Sequence, residues 1–121
     1  MSGYKIRTQV RLASVSWMVP PELLYWGDID TAGFAIVNGL HSHWPHTRSL
    51  LMDEATLLAF RSLWSTDEVP IARQLPTLSP EECEVYEGLL QARWRTGVRL
   101  EQERIPWSVA WRALQQATGS S

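Results

Sequence analysis

The stretch LLYWGDIDTAGF, residues 23 to 34, decides how this chain is read. Its apolar run LLYW (23–26) is flanked by turn residues, as a buried strand would be. Two aspartates one residue apart follow the run. Beyond them Phe34, Ile36, Val37 and Leu40 recur at spacings that give one helical face. Asp30 or Thr31 can cap the first turn of that helix. Side chains on a strand repeat every two residues, so Asp28 and Asp30 point to the same side if the strand continues that far, their backbones about 6.6 Å apart. Two carboxylates so placed repel one another and lose solvation, and a divalent cation removes both penalties. Gly27 lets the chain bend, while Ala32 and Gly33 leave the helix start clear for a phosphate or an ion.

Residues 4 to 19 alternate loosely between apolar and polar and suit one or two short strands, ended by the prolines at 20 and 21. TRSLLM (47–52) reads as a second strand. Asp53 then caps a helix, EATLLAFRSLW (54–64), with Leu57, Phe60 and Trp64 on one side. A loop with two prolines leads to Ser79, Pro80 and Glu82, which together spell a capping box with proline in the first turn. Val85 and Leu89 form the buried face of that helix, and Gly97 is its expected stop. VRLEQERI (98–105) reads as a strand. Pro106 opens a last helix, whose stripe of Trp107, Ala110, Trp111 and Leu114 is assigned to the core.

Strands alternating with helices define an α/β fold, a mostly parallel sheet flanked by helices, in which ligands gather beyond the carboxyl ends of the strands. The expected organisation is an N-terminal segment, 1–22, holding a candidate edge strand. The main domain follows at 23–117, then a short tail at 118–121.

The 121 residues suit one compact domain, and 45% apolar residues with seven tryptophans exclude wholesale disorder. A net charge of -2 excludes a generally basic nucleic-acid coat and leaves room for a local basic face. Lys5 is the only lysine beside ten arginines. Arginine favours bidentate contacts to carboxylate or phosphate, although a GC-rich genome produces the same bias. Cys83 stands alone, so neither a disulfide framework nor a four-cysteine zinc site exists. No stretch has the length of a membrane span or the pattern of a signal peptide, so a cytoplasmic protein is expected.

Several readings of the aspartate pair compete. The plainest makes Asp30 a helix cap and Asp28 an exposed acid at a strand end. A calcium loop matches DIDTAG at three positions but needs a glutamate where Gly39 stands. A haloacid-dehalogenase-like phosphatase also begins with D-x-D. It needs Thr or Val at Ala32, and it needs a downstream lysine, whereas Lys5 lies upstream. A glycosyltransferase uses D-x-D to hold a metal, in domains that are usually much longer.

Other acids compete for the same chemistry. Asp53 also follows a strand and is either a cap or a metal contact. Glu101 and Glu103 share one face of the last expected strand, where they join the acids or pair with Arg99 or Arg104. His41, His43 and His46 resemble a metal motif but fall at the opposite edge of the sheet, short of the four ligands a closed zinc site needs.

YWGDIDTAGF, RSLLMDEATL and VRLEQERIPW, in this order, resemble the C-terminal domain of JetD-like proteins, the nuclease subunits of Wadjet plasmid-defence systems. The resemblance covers roughly residues 23 to 114. It implies a Toprim-like (Rossmann-like) fold related to the A subunit of topoisomerase VI, with GDIDTAG in place of that family's GDxDPYG. It implies that Asp28 and Asp30 bind Mg²⁺, for which Mn²⁺ can substitute, and that the ion polarises a scissile phosphate of double-stranded DNA. It also implies SMC-like complex subunits and a second copy as partners. Family members use a further glutamate on an earlier strand, and residues 1 to 21 hold no acid. The expectation is therefore a Toprim-like domain lacking its first strand and unable to cleave alone. The alternative is a non-catalytic interaction or dimerisation domain.

Overall fold

The computed structural model describes residues 23–118. The candidate edge strand in 1–22 and the last three tail residues lie outside them. The elements run β1 (Leu23–Tyr25), α1 (Thr31–His43), β2 (Thr47–Ser49), α2 (Glu54–Ala59), β3 (Ser65–Thr66), α3 (Pro80–Leu90), β4 (Val98–Arg99) and α4 (Trp107–Ala117), with short 3-10 turns at Arg61–Leu63 and Gln102–Arg104. Strands β1 and β2 pair in parallel, Leu23 beside Thr47 and Tyr25 beside Ser49, with α1 as the crossover. That unit is the expected α/β arrangement. A parallel pair needs such a crossover because a tight hairpin cannot reverse the chain twice.

The second half departs from a parallel sheet. β3, in a stretch expected to be loop, pairs antiparallel with β4, Ser65 beside Arg99 and Thr66 beside Val98. The strand expected over 98–105 is only two residues long, because a 3-10 turn follows from Gln102. An antiparallel bridge joins the halves: the Ile29 N–H donates to the Leu100 carbonyl at 2.9 Å, and the Leu100 N–H donates back at 3.0 Å. The apolar run of the first unit is thereby stitched to β4.

Ile29 and Leu100 are both fully buried in a core with Phe34, Val37, Leu57 and Val98. Phe34 of α1 meets Tyr86 of α3 at 6.3 Å between ring centroids. The Tyr86 hydroxyl, held among the backbone groups of Ile71 and Arg73, pins the proline loop against α3.

Helix boundaries follow local chemistry. The capping box forms as expected: Ser79 Oγ accepts from Glu82 N at 3.2 Å, and Glu82 Oε1 accepts from Ser79 N at 2.9 Å. α3 stops at Leu90, well before Gly97. Ala92 takes a left-handed φ of 57°, and Arg93 N donates to the Gly88 carbonyl at 2.9 Å, which closes the helix without a glycine. α2 is shorter than expected because the Trp64 indole N–H donates to the Leu57 carbonyl at 2.9 Å and takes the place of a further turn.

The last helix corrects one expectation. Trp107 is 67% exposed and Trp111 49%, and Ala110 is the buried residue of α4. Half-buried Trp26 completes a row, with centroids 6.4 Å apart at both steps, Trp26 to Trp107 and Trp107 to Trp111.

Candidate functional site: the acidic turn

Beyond the end of β1 at Tyr25 the chain pairs again at Ile29, and that bridge orders the acids around it. Ile29 is buried at the bridge, and Asp28 and Asp30 flank it. The register of Ile29 with Leu100 sets Asp30 across from Arg99 and Asp28 across from Glu101. Asp28 is partly exposed, and its Oδ1 accepts from Gln102 N at 2.7 Å. Asp30 is 3% exposed and caps α1, its Oδ1 accepting from Gly33 N at 2.6 Å. Its Oδ2 accepts from Arg99 Nε at 2.8 Å.

The small residues after the aspartates serve the chain's own packing. A Cβ on Gly33 would collide with the Asp28 carbonyl oxygen, and one on Gly27 would run into the Tyr25 ring. The space at the helix start is thus occupied by the turn itself rather than kept open for a phosphate.

Asp67 is a member of the cluster that sequence reasoning missed. It is 5% exposed, and its Oδ2 accepts from Thr31 Oγ1 at 2.9 Å. Thr31 Oγ1 in turn accepts from Ile71 N at 2.7 Å. Asp67 Oδ1 faces Arg99 Nη2 at 3.4 Å. In the sequence Asp67 is one polar residue of a polar loop. Only the pairing of β3 with β4 brings it beside Arg99.

Burial raises the Asp30 carboxyl above its ordinary value, and the neighbouring Asp28 adds to this, against the Gly33 N–H and Arg99. The buried Tyr25 hydroxyl is pushed up as well, by burial first and then by Asp28 and Asp30. A phenol so disfavoured as a phenolate is poorly placed to act as a nucleophile.

The other candidates have local roles. Asp53 caps α2, accepting from Thr56 N at 2.9 Å. Glu101 lies 3.5 Å from Arg104, and Glu103 is exposed in the 3-10 turn. The histidines do not converge: His41 Nε2 meets Glu82 Oε1 at 3.1 Å, His43 bonds the Gly39 carbonyl, and His46 is exposed.

Magnesium does not fit the acidic turn as it stands. Both Asp30 oxygens are taken, and among the described residues no three His, Cys, Asp or Glu side chains group to hold a metal. The arrangement instead offers a partly exposed carboxylate, Asp28, beside the Asp30–Arg99 ion pair.

Fold and site together define an α/β domain whose first parallel strand leads into a buried acidic turn. The family model for the C-terminal region of the Wadjet protein JetD matches residues 1–114, and the chain belongs to that family. No curated relative matches it. Among the described residues, no helix is long and apolar enough to cross a membrane.

Proposed function

We propose that this domain supplies Asp28 and Asp30 as half of a magnesium-dependent site that cleaves DNA within a Wadjet defence complex. The observation that carries the reading is the acidic turn, two carboxylates flanking the Ile29 bridge just beyond the carboxyl end of a parallel strand, in a chain of the JetD C-terminal family. Asp28 is the ligand an incoming ion meets first, and Asp30 joins when Arg99 withdraws. The remaining ligands come from outside the described residues, the glutamate of Toprim-like relatives among them. Exposed Arg61 and Arg95 both lie over the Trp64 ring, at 5.2 and 5.8 Å, and suit the phosphate backbone of double-stranded DNA. Such binding is weakened by salt and indifferent to sequence. SMC-like subunits and a second copy are the further partners of this reading.

In ¹H–¹⁵N spectra, Mg²⁺ is expected to shift residues 28 to 30 first, and Mn²⁺ to broaden the same signals. Asp28→Ala combined with Asp30→Ala abolishes the response; an unchanged response in that variant removes the metal assignment. The isolated chain is expected to leave supercoiled plasmid largely intact in Mg²⁺. Robust cleavage lost with Asp30→Ala would show the site to be complete on this chain.

A second reading is favoured by the row of half-buried Trp26 with exposed Trp107 and Trp111. It makes the domain a non-catalytic interaction module of the same complex, and it requires that Asp28→Ala leave defence unaffected while Trp107→Ala impairs it.

A further inference from the structure

The geometry points to Arg99 as the resident counter-cation of the acidic turn, holding Asp30 and Asp67 together so that the turn is formed without a metal. Both carboxylates are almost fully buried, at 3% and 5% exposure. Two buried like charges are costly unless a cation and hydrogen bonds compensate them. Arg99 supplies the cation from β4, its Nε on Asp30 Oδ2 at 2.8 Å and its Nη2 facing Asp67 Oδ1 at 3.4 Å. The two outer oxygens are met by Gly33 N and Thr31 Oγ1. Every oxygen of the two carboxylates therefore has a partner. A planar guanidinium spans two acids in this way, whereas a lysine ammonium offers a single point of charge.

A divalent ion and Arg99 want the same oxygen of Asp30. The ion reaches Asp30 only by displacing Arg99, so the ion pair sets a threshold for metal entry. This consequence rests on the metal reading proposed above, while the counter-cation role does not.

Thermal unfolding of the full 121-residue chain, followed by tryptophan fluorescence with and without a chelator, tests the role. In metal-free buffer Arg99→Gln is expected to unfold at least about 5 °C below wild type. Millimolar Mg²⁺ should restore part of that loss and stabilise wild type by less. Arg99→Lys, which keeps the charge without the fork, should fall between them, and it carries the test if Arg99→Gln does not fold. Calorimetric titration with Mn²⁺ should give a dissociation constant at least about tenfold lower for the variant than for wild type. Equal unfolding temperatures for variants and wild type overturn the counter-cation role. Equal, measurable Mn²⁺ affinities overturn the competition. Lost stability with no Mn²⁺ binding by either protein upholds the role of Arg99 and removes the metal from the proposed function.

Discussion

Asp30 and Glu82 are both buried, both help cap a helix, and both tie together segments far apart in the chain, yet burial leaves them in opposite electrostatic states. Glu82 receives the Ser49 hydroxyl at 2.6 Å and the Ser79 N–H at 2.9 Å, with His41 at 3.1 Å. Burial alone would raise its carboxyl, and these three partners instead hold it below its ordinary value. Asp30 has two donors, a deeper position and a second acid beside it. Burial prevails there, and its carboxyl is raised. The difference separates structure from site. A carboxylate whose donors outweigh its burial is a fastening. One left with an unrelieved cost is where another ligand has something to gain.

The largest loss of stability is expected from Glu82→Ala. It removes the capping-box acceptor and strands Ser49 and His41, at a cost of about 3 kcal/mol in denaturant unfolding. The pH dependence sharpens the contrast. Because the folded-state value of Glu82 is lowered, its contribution is present above an unfolded value near 4.5 and lost as pH falls through the folded value. Asp30 has the opposite sign. Its value is raised from 3.8, so the stability linked to its protonation is present below 3.8 and lost as pH rises through the folded value. Glu82→Gln is therefore expected to flatten the acid limb of a stability–pH profile, and Asp30→Asn to leave that limb in place.

Gly33→Ala tests the acidic turn through its backbone. The new methyl meets the Asp28 carbonyl, which has no flexible end to swing aside, and a loss of about 2 kcal/mol is expected. Unchanged stability would mean that the turn is not packed as tightly as its contacts require. The smallest effect is expected at Ala92, just beyond the helix that carries Glu82. Its φ of 57° suits glycine, and Ala92→Gly should gain about 1 kcal/mol and leave the Glu82 cluster untouched.

Helix starts were the most legible feature of the sequence, because a cap is a short-range arrangement. Asp30, Asp53 and the Ser79–Glu82 box each sit within three residues of the N–H they bind. The parallel β1–α1–β2 unit was legible for a similar reason, its hydrophobic periods changing within a single continuous stretch. The misses are long-range. A two-residue strand such as β3 carries no period to read, and its partner lies 32 to 34 residues away. Arg99 could be weighed against Glu101 and Glu103 from the sequence, but its partners Asp30 and Asp67 come only with the register of Ile29 and Leu100. The end of α3 at Leu90 has the left-handed Ala92 beyond it and no glycine to announce it. The stripe on α4 is a single face, but only Ala110 joins the core while Trp107 and Trp111 stay exposed, since periodicity says which residues align and not what lies opposite them.

In the function proposed above, Asp28 and Asp30 are metal ligands in waiting, with Arg99 in the metal's place. Manganese anomalous diffraction from crystals of wild type and Arg99→Gln tests it most directly. In wild type Arg99 is expected on Asp30, with any manganese held by Asp28 alone, and in the variant a peak is expected within bonding distance of both Asp28 and Asp30. Manganese bound to Asp30 with Arg99 still in place would contradict it, as would a variant whose only peak lies among the histidines.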